Sequence, residues 1–188
     1  NNNAFATGEW TGERFKTEFL MKELWAVTEA EHTGLWGAIK KTSGNTIVKR
    51  LLDMLSAADQ GIPSDEVIER GRIPYVIGQS IASEILHKCR PDRFVIKNKR
   101  SHWGMAFILD QGDGPSFPES MTYSMFQRYV DLVMQELTAW FSDRGLTFDP
   151  CYQYYIGDRF FQNIYDDPGN KTIISMYYSG RRDDSWWR

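Results

Sequence analysis

The chain has 188 residues, of which 41% are hydrophobic, 14% aromatic and 25% charged, with a formal net charge of −3. That length supports one buried core, and the balance excludes a disordered, collagen-like or disulfide-stapled chain and a protein that coats nucleic acid by bulk charge. No apolar run approaches the roughly 18 residues of a spanning helix, and the opening NNNAFATGEW lacks the basic and apolar regions of a signal peptide. The two cysteines, Cys89 and Cys151, imply no oxidising compartment, so the expectation is a cytoplasmic protein without membrane contact. Asn1 at the start and the polar RRDDSWWR at the end read as a segment cut from a larger chain.

Residues 1–10 read as a flexible segment. From Thr11 to about Ala30, Phe15, Phe19, Leu20, Leu24, Trp25 and Val27 recur at helical spacing opposite a Glu- and Lys-rich face, which predicts an amphipathic helix. Gly34, Gly37 and Gly44 then interrupt the periodicity, and Gly34-Leu35-Trp36-Gly37 reads as a helix-breaking loop. A second helix carries Ile47, Val48, Leu51, Leu52 and Leu55, capped by Asn45 or Thr46 and ended near Gly61-Ile62-Pro63. Ser64 opens a short third helix to about Arg70, and Pro74 sits in the first turn of a fourth with Ile77, Ile81, Ile85, Leu86 and Cys89, stopped by Pro91.

Phe94-Val95-Ile96 predicts a short extended link before a helix of about eight residues around Trp103 to Leu109. QGDGPSFPES is a loop by composition, and Ser120 opens the longest helix, with Phe126, Tyr129, Val130, Val133, Leu137, Trp140 and Phe141 on a core-forming face up to Gly145. A last helix runs from about Pro150 to Tyr165, and Thr172 to Tyr178 reads as a lone strand. The expected fold is mainly α: a compact bundle of about six to seven helices with one or two short strands. It forms a single helical domain over 11–165, with a C-terminal strand or linker over 166–188.

The catalytic motifs that need particular residues at particular spacings are missing. No GxxxxGK[ST] loop occurs to cradle phosphates. Pro91-Asp92 supplies the first half of a PD…(D/E)xK nuclease site, but no later Asp or Glu is followed two positions on by Lys. His32, His87 and His102 do not combine with the cysteines at zinc spacing, and Cys89 shares the stripe of Ile81 and Ile85, which predicts a buried thiol. Asp166-Asp167 and Asp183-Asp184 read as solvated turn and end groups. No catalytic residue, metal ligand or cofactor site is assigned.

The segment KCRPDRFVIKNKR holds six basic residues, Lys88, Arg90, Arg93, Lys97, Lys99 and Arg100, against one acid, Asp92. Asn98 or Ser101 can cap the next helix, placing backbone amides and the positive dipole end beside Lys97, Lys99 and Arg100, an arrangement suited to phosphate. The plain alternative is a solvated loop whose charges do nothing specific.

The stretch ASEILHKCRPDRFVIKNKRSHWGMAFIL resembles a segment ahead of the AAA-type motor in McrB-like restriction proteins, and its helix and P-x-x-F-x-I turn are similar to helix-hairpin-helix DNA-repair relatives. Tyr155-Ile156-Gly157-Asp158-Arg159-Phe160-Phe161 is similar to the restriction family's closing helix, so the resemblance spans roughly 73–165. It implies a recognition or adaptor domain of a prokaryotic antiviral restriction system. DNA would be the partner, with an AAA-type motor and a nuclease in other segments or subunits. Pro91, Phe94 and Ile96 would pack, while Asn98, Lys99 and Arg100 would contact DNA. The expected interface is then Arg93, Lys97, Asn98, Lys99, Arg100 and Ser101. The second reading is a protein-interaction module whose basic patch meets an acidic partner and whose aromatic end, with Trp186 and Trp187, docks on a neighbour.

Overall fold

A computed structural model of the chain describes residues 10–28, 33–110 and 121–178. The segment 1–9, His32, residues 111–120 with the expected loop and Ser120, and the stretch 179–188 with Trp186 and Trp187 lie outside these residues. Among the described residues the fold is mainly helical as expected, but it contains no strand; the one β-type pairing is an isolated bridge between Ile73 and Ile77. The chain divides into two compact units, with the boundary between Ile85 and Leu86.

The first unit opens with α1, a helical run over 12–23 whose middle, Phe15–Leu20, is a π-helix. The wider turn brings Lys16 to the inner face, where only 6% of it is exposed. Its ammonium is 2.6 Å from the Glu13 carboxylate and donates to the carbonyls of Lys40 (3.3 Å) and Thr42 (2.9 Å). The predicted helix does not continue unbroken to Ala30. It stops at Leu24, which is extended, and restarts as α2, Trp25–Thr28. The cause is Glu84, a buried carboxylate whose two oxygens accept from the amides of Trp25 (2.7 Å) and Ala26 (2.9 Å), satisfying the first donors of the new helix.

Residues 34–37 form no loop: they open α3, Gly34–Lys41. Ile39 is buried and Lys16 closes the C-terminal carbonyls, so tertiary contacts override the two glycines. The next helix, α4 (Gly44–Asp59), is capped by neither Asn45 nor Thr46; Glu13 of α1 accepts from the Gly44 amide at 2.6 Å. Gly12 and Gly44 make this possible, because a Cβ on either would lie within 2.3 Å of the other segment. Ile47, Leu51, Met54, Ala57 and Ala58 of α4 face the core, and α5, Ser64–Gly71, buries Val67 and Ile68. Pro74 does not start a helix. Ile73 and Ile77 exchange two backbone bonds (3.1 and 2.8 Å) around a turn with Tyr75 at φ +62°, and α6, Gln79–Cys89, begins after it.

The second unit contains α7 (Lys99–Asp110), α8 (Tyr123–Ser142), α9 (Gln153–Asp166, entered by a 3₁₀ turn at Pro150–Tyr152) and α10 (Pro168–Tyr178). Helices α7 and α9 meet closely at Gly104, where a Cβ would stand 2.1 Å from the Phe161 carbonyl oxygen. The expected lone strand at 172–178 is helical. Asp167 accepts from the amides of Gly169 (3.0 Å) and Asn170 (3.1 Å), and Pro168 occupies the first helical position, so the local start signal outweighs the β-branched composition. Helix α8 is capped by Thr122 through the Met125 amide at 3.2 Å. Its buried residues are Tyr123, Phe126, Val130 and Met134; Trp140, expected in the core, is exposed.

Candidate nucleic-acid interface

Phe94, Val95 and Ile96 are apolar, lie in no helix or strand, and are all three buried without a neighbouring strand among the described residues. Their carbonyls therefore need donors from elsewhere. Three side chains supply them: His87 Nδ1 donates to Phe94 O (2.8 Å), Tyr123 Oη to Val95 O (2.8 Å) and Ser101 Oγ to Ile96 O (3.1 Å); a fourth, Gln127 Nε2, donates to the preceding Arg93 O (2.8 Å). Because a carbonyl only accepts, Nδ1 is the protonated nitrogen of His87; burial lowers its pKa below the ordinary value and keeps the ring neutral.

The link ends at Asn98, which starts α7 through a reciprocal cap. Asn98 Oδ1 accepts from the Ser101 amide at 3.0 Å, and Ser101 Oγ accepts from the Asn98 amide at 3.1 Å. Asn98 Nδ2 also faces the buried Asp158 carboxylate of α9 at 3.4 Å, and the other Asp158 oxygen accepts from Gln162 at 2.6 Å. A carboxylate of the chain itself thus lies at the positive end of α7.

The six residues expected at the interface separate into two groups. Lys97 is 1% exposed; its ammonium donates to the Met121 carbonyl and lies 5.8 Å from the centre of the Phe126 ring. It is an internal tie and not a surface cation. Ser101 is buried within the cap, and Asn98 spends its amide group on Ser101 and Asp158. Arg93 and Lys99 are exposed, and the half-exposed Arg100 lies 3.7 Å from Asp166. The outward charges are therefore Arg93, Lys99 and Arg100, with Lys88 exposed at the start of the same stretch.

His102 stacks on Phe126 at 6.4 Å, and burial, reinforced by the Lys97 charge, pushes its pKa down to about 2, so it is neutral at physiological pH. Cys89, expected to be buried, is exposed. It is the last residue of α6, where the inward side is taken by Leu86 and His87. The props Gln127, Tyr123 and His87 are missed by sequence reasoning, since they lie 7 to 34 residues from the carbonyls they hold. Among the described residues no three His, Cys, Asp or Glu side chains come together as metal ligands, and no helix is long and apolar enough to cross a membrane. The chain matches no family model, no curated protein and no solved structure, so the argument for function rests on these residues.

Proposed function

We propose that this chain is a nucleic-acid recognition or adaptor module that meets backbone phosphate through Arg93, Lys99 and Arg100. The observation that carries this reading is the fastening of carbonyls 93 to 96 by four side chains, at one end of which Arg93 is exposed and beyond the other Lys99. Cations carried on a fixed backbone lose less conformational entropy on binding than cations on a mobile loop. Lys97, Asn98 and Ser101 hold that backbone and do not touch the ligand. On the McrB-like resemblance, DNA is the partner and a motor and nuclease act from other segments or subunits of a defence system.

The test is fluorescence anisotropy of labelled duplex and single-stranded DNA at two salt concentrations. Three phosphate contacts give a salt slope near −2.7, so duplex affinity should fall about 40-fold between 50 and 200 mM salt. Arg93→Ala, Lys99→Ala and Arg100→Ala combined should abolish binding, whereas a folded Lys97→Met variant should keep the native salt slope. Absence of binding at low salt overturns the reading.

A further inference from the structure

Among the described residues of the second unit, the end of α8 is not covered by another element. None of the residues 135–153 is buried, yet this stretch includes Leu137, Trp140, Phe141, Leu146 and Phe148. Leu137, Trp140 and Phe141 continue the helical spacing of Val130 and Met134, whose side chains lie against Gly157 of α9. Beyond that crossing the spacing persists while burial stops: Trp140 is 48% exposed and Leu146 54%. The rings nevertheless cluster, with Trp140 and Phe141 centres 5.3 Å apart, Phe141 and Phe148 5.9 Å apart, and the Arg144 guanidinium 3.8 Å above Trp140. The result is an ordered aromatic tip at the α8–α9 turn.

The tip's charge decides what fits it. Glu136, Asp143 and Asp149 are exposed around the aromatics, against the single cation Arg144. Two such tips facing each other across a two-fold axis would oppose acids to acids, which disfavours a symmetric tip-to-tip contact. The opposite charge pattern exists in the same unit: with Lys97 buried, the stretch 88–100 turns Lys88, Arg93 and Lys99 outward, with Arg90 and Arg100 partly exposed, against the one exposed acid Asp92. Arginine and lysine also have favourable places over aromatic faces.

We propose that the aromatic tip 135–149 is the docking surface for a second copy of this chain, received head to tail by that copy's basic stretch 88–100. The contact is heterologous, so each contact leaves an unused basic stretch on the copy that gives its tip and an unused tip on the copy that receives it, and assembly proceeds beyond the dimer. This proposal does not depend on nucleic-acid binding.

Sedimentation velocity of the full chain tests it, between about 5 and 500 μM, the range in which a small interface of this kind associates. The weight-average mass should rise with concentration beyond twice that of one chain and fall back as salt is raised. A tip variant, Trp140→Ser with Leu146→Ser, and a basic-stretch variant, Lys88→Glu with Arg93→Glu and Lys99→Glu, should each be monomeric alone. All five positions are exposed, and circular dichroism verifies that both variants are folded. Mixed together, the two variants should form a complex that stops at one copy of each, because only one intact tip and one intact basic stretch remain. A native chain that stays monomeric at the highest concentration, a tip variant that associates as the native chain does, or a mixture that remains monomeric would each overturn the proposal. The tip variant keeps the basic stretch, so its DNA anisotropy should be unchanged, and failure of the self-association test leaves the nucleic-acid reading standing.

Discussion

Tyr123→Phe isolates one prop of the link over 94–96. Tyr123 is fully buried and its hydroxyl donates at 2.8 Å to the carbonyl of Val95, itself only 1% exposed. Removing the hydroxyl keeps the ring and its packing but leaves a buried acceptor without this donor, which costs about 1–3 kcal/mol. A central figure of about 1.5 kcal/mol, with a urea slope of about 2 kcal/mol/M, moves the unfolding midpoint down by about 0.7 M. The assay is urea unfolding followed by far-ultraviolet circular dichroism, with the slope unchanged because the same surface is exposed on unfolding. A double-mutant cycle with Gln127→Ala, which removes the donor to Arg93 two residues along, should show the two losses to be coupled, since both fasten one short segment. A midpoint shift below about 0.2 M would refute the claim that side chains replace a neighbouring strand here.

Three further outcomes follow from the geometry. His102 has a folded pKa pushed down to about 2, so between that value and its ordinary one the unfolded chain binds a proton that the folded chain does not, and stability falls as pH drops below about 6.5. The loss from this residue is about 2 kcal/mol at pH 5, and stability measured from pH 7 to 5 should fall less steeply in His102→Leu; equal slopes would contradict the burial. Gly104→Ala places a Cβ 2.1 Å from the Phe161 carbonyl and should destabilise by about 3 kcal/mol, whereas Gly37→Ala, with open space around it, should stabilise by about 0.5–1 kcal/mol in thermal unfolding. Asp166→Asn removes the surface partner of Arg100 and should tighten DNA binding about twofold in the anisotropy titration, with no gain if Arg100 does not contact phosphate.

Where the sequence carried its own stop and start signals, the helices were legible. Gly61 ends the run of Ile47, Leu51 and Leu55, and it does so at φ +74°. Gly145, at φ +68°, follows the end of α8. Two of the misreadings have one cause, a distant side chain that overrides a local pattern, and the third a local start signal that outweighs composition. Residues 11–30 are periodic throughout, but Glu84, about sixty residues away, captures two amides and breaks the helix at Leu24. Gly34 and Gly37 look like a break, but Lys16 closes the helix that contains them. The run 172–178 is rich in β-branched and aromatic residues, and only the Asp167-Pro168 start reveals its helical state.

The candidate interface was legible as a position on the chain but not as a set of outward-facing groups. Four consecutive residues, Phe94 to Lys97, are buried, so the link is enclosed on more than one side. Enclosure forces Lys97 inward, and the Met121 carbonyl and Phe126 ring receive its charge. Counting cations along the chain cannot separate Lys97 from Lys99, because Met121, which receives Lys97, and Tyr123, which holds Val95, stand 24 and 28 residues further along. The same enclosure is what makes the remaining charges useful. Asn98 and Ser101 fix the start of α7 by a reciprocal cap, so Lys99 and Arg100 leave the helix in directions set by that cap and by Asp158 behind it. The cations that are left are fewer than the sequence suggests, and the proposed phosphate contact rests on Arg93, Lys99 and Arg100 alone.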